Sequence, residues 1–66
     1  MSETLEKLLE DVEVARVLRI EPETLRAWRR QGRGPVFVEL GSKLIRYRTE
    51  DVRAWIAAHR RGDGAQ

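Results

Sequence analysis

Glu21-Pro22-Glu23-Thr24-Leu25-Arg26-Ala27-Trp28-Arg29-Arg30-Gln31-Gly32 starts and stops like a short helix. Proline is tolerated at a first helical position, where its missing N–H costs nothing, so the helix is expected to begin at Pro22. Glu21 stands at the capping position. Gly32 can take the left-handed conformation that ends a helix, which places the end near Gln31. Leu25 and Trp28 lie three apart and define the buried face. Glu23, Thr24, Arg26, Ala27 and Arg30 are then left facing outward, with Arg29 near the boundary.

Working toward the N-terminus, Asp11 to Leu18 reads as an earlier helix. Val14, Val17 and Leu18 fall at i, i+3 and i+4, with Ala15 beside them, so one face is apolar. Acidic residues at its start suit the helix dipole. Arg19-Ile20-Glu21 breaks the pattern and joins the two helices as a turn. Met1 to Leu9 is expected to be a lead-in turn or short helix, with Ser2 or Thr4 able to cap it and Leu5, Leu8 and Leu9 available for packing.

Working toward the C-terminus, Arg33-Gly34-Pro35 is a loop. Val36 to Leu40 and Lys43 to Arg48 are strand-like, and Gly41-Ser42 between them suits a two-residue type II′ turn. In the second strand Leu44, Arg46 and Arg48 share one face, and Lys43, Ile45 and Tyr47 share the other, which is the better suited to packing. Thr49-Glu50-Asp51-Val52 reads as a capped helix start. Val52, Trp55, Ile56 and His59 line one face of that last helix. Arg60 to Gln66 is expected to be a frayed tail.

The expected fold is therefore mainly α with a small β-hairpin, a winged helix-turn-helix. It divides into a lead-in segment at residues 1–9, the winged unit at residues 10–59 and a tail at residues 60–66. Two short helices joined by about three residues form a helix-turn-helix, and the hairpin after them forms a wing. The second helix fits a major groove, where base edges are distinguishable. The wing suits the backbone or the adjacent minor groove, where arginine is attracted.

Charge points the same way. Residues 1–15 carry Glu3, Glu6, Glu10, Asp11 and Glu13 against Lys7, a net of −4. Residues 16–48 carry eight arginines and Lys43 against Glu21, Glu23 and Glu39, a net of +6. A basic middle between acidic and neutral ends suggests a polyanion partner, and a merely solvated basic surface is the alternative. The candidate contacts are Glu23, Thr24, Arg26, Ala27, Arg29 and Arg30 on the second helix. Ser42, Lys43, Arg46 and Arg48 are the candidates on the wing. Arg16, Arg19 and Arg33 are candidates for the DNA backbone.

Other functions find less support. At 66 residues there is room for one domain with a thin core and no deep pocket. There is no cysteine, so no disulfide and no cysteine-ligated zinc. No apolar run approaches the roughly 18 residues of a membrane span. The acidic start does not resemble a secretory signal, so a cytoplasmic location is expected. Trp28 and Trp55 sit at helical core spacing and are read as core residues rather than platforms for single strands. Tyr47 is read as packing the wing to the core, and His59 as a surface or helix-end residue. With no phosphate loop, metal-ligand cluster or nucleophile-and-base set, no enzymatic activity, cofactor or metal is expected.

From Leu8 to Ala58 the chain resembles the excisionase-type, MerR-like winged helix-turn-helix family. The matching residues are Leu8-Leu9, Glu13-Val14-Ala15 with Val17-Leu18, Ile20, and Thr24 to Gly32. The wing matches from Val38 to Arg48, and the last helix from Glu50 to Ile56. Two positions depart from the family pattern: Arg19 replaces the usual glycine of the turn, and Glu21 replaces the usual serine-like cap. Arg19 is therefore expected in an unusual backbone conformation, or else the turn differs from the family's. Glu21 and Glu23 are expected close to DNA, repelling phosphates or selecting cytosine. The resemblance implies a recombination directionality factor that binds and bends attachment-site double-stranded DNA and favours excision by an integrase. A small transcription regulator on the same fold, and a protein-interaction module using the acidic segment or the last helix, are the alternatives. The sequence stops soon after the last helix, so the long dimerisation helix of MerR-type regulators is not expected. Several copies on adjacent DNA sites are expected instead.

Overall fold

A computed structural model describes residues 7–62. The elements run β1 (Leu8–Leu9), α1 (Asp11–Leu18), α2 (Pro22–Arg30), β2 (Val38–Leu40), β3 (Leu44–Arg48) and α3 (Thr49–Ala58). The three strands form one antiparallel sheet in the order β1-β3-β2. Three helices with this small sheet make a winged helix-turn-helix.

The two helices of the central motif end by the same device. At the end of α1, the Arg19 N–H donates to the Arg16 carbonyl at 3.1 Å and the Ile20 N–H to the Ala15 carbonyl at 3.0 Å. At the end of α2, the Gly32 N–H donates to Arg29 at 3.1 Å and the Arg33 N–H to Trp28 at 2.7 Å. Both are Schellman closures, which need one left-handed residue each. Gly32 supplies it for α2 at φ 75°, and Arg19 supplies it for α1 at φ 59°. The arginine expected to be in an unusual conformation is thus in the left-handed region, and it is the only non-glycine residue with positive φ among those described. The start of α1 is fixed by Glu13, whose carboxylate accepts the Glu10 N–H at 2.8 Å. That contact is half of a capping box.

The core is small. Val14, Ala15, Leu25, Tyr47 and Val52 are buried, and Leu9, Leu18, Ile20, Trp28 and Ile45 pack against them. Every helix and the central strand therefore contributes to it. Tyr47 packs the wing to the helices, as its strand face suggested. Trp28 and Trp55 pack on each other with ring centroids 5.7 Å apart, and His59 covers the outer side of Trp55 at 4.1 Å.

Four local expectations are corrected. Leu8–Leu9 is a strand, not a turn or helix. It pairs with the edge of β3 that β2 leaves open, in the register Leu8↔Arg48 and Leu9↔Tyr47. Ser2, Thr4 and Leu5 lie outside the described residues. The hairpin closes through three residues, Gly41-Ser42-Lys43, because Leu40 pairs with Leu44. Val36 and Phe37 therefore precede the strand, and Lys43 belongs to the turn. Val17 is 60% exposed, because α1 presents only Val14 and Ala15 fully to so thin a core. The cap of α3 is Arg48, and Thr49 lies inside the first turn, because β3 runs into the helix without an intervening residue. The tail past His59 is described only to residue 62.

Candidate nucleic-acid interface

The outward face of α2 follows from its helical spacing. Glu23, Arg26, Ala27 and Arg30 lie at i, i+3, i+4 and i+7 and form one ridge, away from buried Leu25. Glu23 and Arg30 are exposed, and Arg26 and Ala27 are half-buried. Thr24 is half-buried on the flank of this ridge.

Beside the ridge lies a cleft of about 230 Å³ between the start of α1, α2 and the wing. Glu10 and Asp11 line it from the start of α1, Arg26 and Arg29 from α2, and Lys43 and Arg46 from the wing. The cleft brings four of the sequence-predicted cations together from two separate elements. Ser42 and Lys43 are exposed at the wing tip, and Arg48 is half-buried at the base of β3. Arg16 and Arg19 are exposed on α1 and in the turn, outside the cleft. Arg33 is exposed beyond α2, with its guanidinium 5.3 Å over the Trp28 ring.

Arg29 has a different environment from the rest. Its Nη1 donates to Asp11 Oδ1 at 2.7 Å and to the Tyr47 hydroxyl at 2.9 Å. Its side chain is only 18% exposed and that of Asp11 19%. The hydrogen bond to Asp11 pushes the Arg29 pKa further up from its already high ordinary value, with the Tyr47 bond adding to it and burial opposing it. The same carboxylate holds Arg26, whose Nε lies 3.3 Å from Asp11 Oδ2. One aspartate at the first turn of α1 thus ties down two arginines of α2, and one of those also ties to the wing.

Sequence reasoning missed Asp11, Glu10 and the Tyr47 hydroxyl as parts of this site. Asp11 carried only a helix-start signal, and its partners lie 15 and 18 residues away. Local pattern contains no trace of such a pairing.

An exposed helical ridge and a hairpin wing bordering one cationic cleft define a winged helix-turn-helix DNA-binding domain. The chain matches the family model described as helix-turn-helix domain over residues 8–60, and it belongs to that family. The family includes excisionase-like proteins, and membership implies sequence-specific binding of double-stranded DNA. Comparison with curated proteins and with solved structures gives no match. Among the described residues no helix is long and apolar enough to cross a membrane, and no group of three or more His, Cys, Asp or Glu could hold a metal.

Proposed function

We propose that this chain is an excisionase, a non-enzymatic protein that binds and bends attachment-site DNA and directs an integrase toward excision. The observation that carries the DNA-binding part is the shared cleft. Arg26 of the helical ridge and Lys43 and Arg46 of the wing border it together, so a single duplex meets both elements at once. In this reading Thr24, Arg26, Ala27 and Arg30 face base edges in the major groove, with Glu23 selecting cytosine through its amino group. Ser42, Lys43, Arg46 and Arg48 follow the backbone into the minor groove, where a narrow groove attracts arginine. Arg16, Arg19 and Arg33 take flanking phosphates. Arg29, held by Asp11 and Tyr47, sets the angle between helix and wing.

The excisionase role rests on the resemblance from Leu8 to Ala58. Its partners are the attachment-region duplex, a site-specific integrase and further copies of the chain on adjacent sites, in the cytoplasm of a bacterium. Gel-shift titration on the attachment region of the source element, with an integrase excision assay and a bend measurement alongside, tests it. Stepwise shifts, a bend and stimulated excision are expected. Binding with no effect on excision makes the chain a small transcription regulator. No shift on that DNA or on random duplex at micromolar protein removes the DNA contact and favours a protein-interaction module.

A further inference from the structure

Three arginines assigned to the DNA surface are already held by glutamates of the same chain. Arg48 Nη2 lies 2.7 Å from Glu50 Oε2, Arg26 Nη1 lies 3.4 Å from Glu23 Oε2, and Arg46 Nη2 lies 3.8 Å from Glu10 Oε2. The acids come from three places: the first turn of α3, α2 itself and the residue before α1. In each pair the acid is the more exposed partner. The glutamate side chains are 63%, 81% and 62% exposed, against 42%, 37% and 27% for the arginines.

Ion pairs this exposed add little to fold stability. Their consequence lies elsewhere. At 2.7 Å the Glu50 carboxylate occupies a guanidinium donor that a phosphate uses, whereas Glu23 and Glu10, at 3.4 and 3.8 Å, act on their arginines chiefly through charge. DNA must therefore displace each glutamate, or accept its negative charge beside the backbone. Asp11 differs, because it is largely buried and bridges two arginines of α2. Glu39 differs in the other direction: it is exposed on the wing and makes no ion pair among the described residues.

We propose that Glu10 and Glu50 are intramolecular competitors for DNA phosphate at Arg46 and Arg48, and that they set how tightly the interface grips the backbone; Glu23, whose arginine faces base edges, is not one of them. This rests on the DNA-binding reading above. It gives the glutamates a role that the net charge does not reveal: the interface is less cationic in effect than its arginines suggest, and the weakening falls on contacts that every duplex sequence offers.

The test is fluorescence anisotropy on a labelled random-sequence duplex at constant salt. Glu50→Gln is expected to tighten binding about two- to five-fold, the range that an exposed pair can supply. Glu10→Gln follows the same rule, with its unfolding midpoint measured because Glu10 also starts α1. Glu39→Gln removes the same charge from the wing without breaking an arginine pair, and its effect is expected to be under half as large. In an Arg48→Ala background Glu50→Gln is expected to change nothing, since the acid acts through that arginine. The proposal is overturned if Glu50→Gln leaves binding unchanged or weakens it. It is also overturned if Glu39→Gln matches it, or if the Glu50→Gln effect survives in Arg48→Ala. Failure of wild type to bind any duplex sinks the DNA-binding reading itself, a result distinct from these.

Discussion

The Asp11 carboxylate in the first turn of α1 sits 2.7 Å from the Arg29 guanidinium of α2, and both side chains are mostly covered. This pair joins the two helices of the motif, and through the Tyr47 hydroxyl it joins them to the wing. Asp11→Asn keeps the size of the side chain and removes its charge, leaving a largely buried guanidinium without its ionised partner. The expected loss is about 1–3 kcal/mol. For a domain of this size each kcal/mol lowers Tm by about 4–8 °C. DNA affinity is expected to fall as well, although the variant is one unit more positive. Chemical denaturation and anisotropy on the same samples check both. A rise in affinity would place Asp11 with the competing glutamates rather than with the framework.

Arg19 holds the left-handed position that closes α1, with φ 59° and ψ 45°. An L side chain there costs about 1–2 kcal/mol, while glycine gives back about 0.5–1 kcal/mol in unfolded-chain entropy. Arg19→Gly is therefore expected to stabilise the fold by about 0.5–1 kcal/mol. Arg19 is also assigned to a flanking phosphate, so the same substitution is expected to weaken DNA binding. A higher Tm with a lower affinity in one variant shows that the turn trades stability for a contact. A higher Tm with unchanged affinity removes Arg19 from the interface.

Those two residues also show what was legible in advance. The bounds of α1 and α2 follow from short-range rules: acids at a start, proline at the first helical position, glycine or its substitute at an end. The left-handed Arg19 was legible only through the family resemblance, in which glycine usually stands at that position of the turn. β1 was not, because two leucines carry no period, and their pairing depends on an open strand edge more than 35 positions later. The hairpin turn was misread by one residue, since Gly-Ser suits two-residue and three-residue closures alike and only the Leu40↔Leu44 register decides. In the candidate site the ridge of α2 was legible from spacing, but Arg29 was assigned to its boundary. Whether a boundary arginine turns outward or inward depends on Asp11 and Tyr47, which no local window contains.

The Glu13 carboxyl is held below its usual pKa, chiefly by the hydrogen bond it accepts from the Glu10 N–H, with Lys7 and Arg16 adding to the effect and desolvation opposing it. A carboxyl whose folded value is depressed stabilises the fold fully above its unfolded value, about 4.3 for glutamate. That contribution is lost as pH falls through the lower folded value. Glu13→Gln can still accept the Glu10 N–H but does not titrate. Between about pH 5 and pH 3 the Tm of wild type is therefore expected to fall more steeply than that of Glu13→Gln. Parallel curves would show that Glu13 gains nothing from folding as an anion.

The cleft predicts which cations DNA reads as charge. Arg26 of α2 and Arg46 of the wing both line it, whereas Arg53 is exposed on α3 and takes no part in it. Each phosphate contact contributes a slope of about −0.9 to log K against log salt, because its counterion is released on binding. Arg46→Ala is expected to weaken binding similarly on all duplexes and to flatten that slope by about one unit. Arg26→Ala is expected to act differently. If it meets guanine, binding to a selected site weakens by about 1–3 kcal/mol while random-duplex binding changes less. Arg53→Ala is expected to change neither quantity. Titrations at four or more salt concentrations, on a selected site and on random duplex, separate the three. Equal slope changes for Arg46→Ala and Arg53→Ala would mean that DNA senses only the net charge of the molecule, and the cleft would lose its place as the interface.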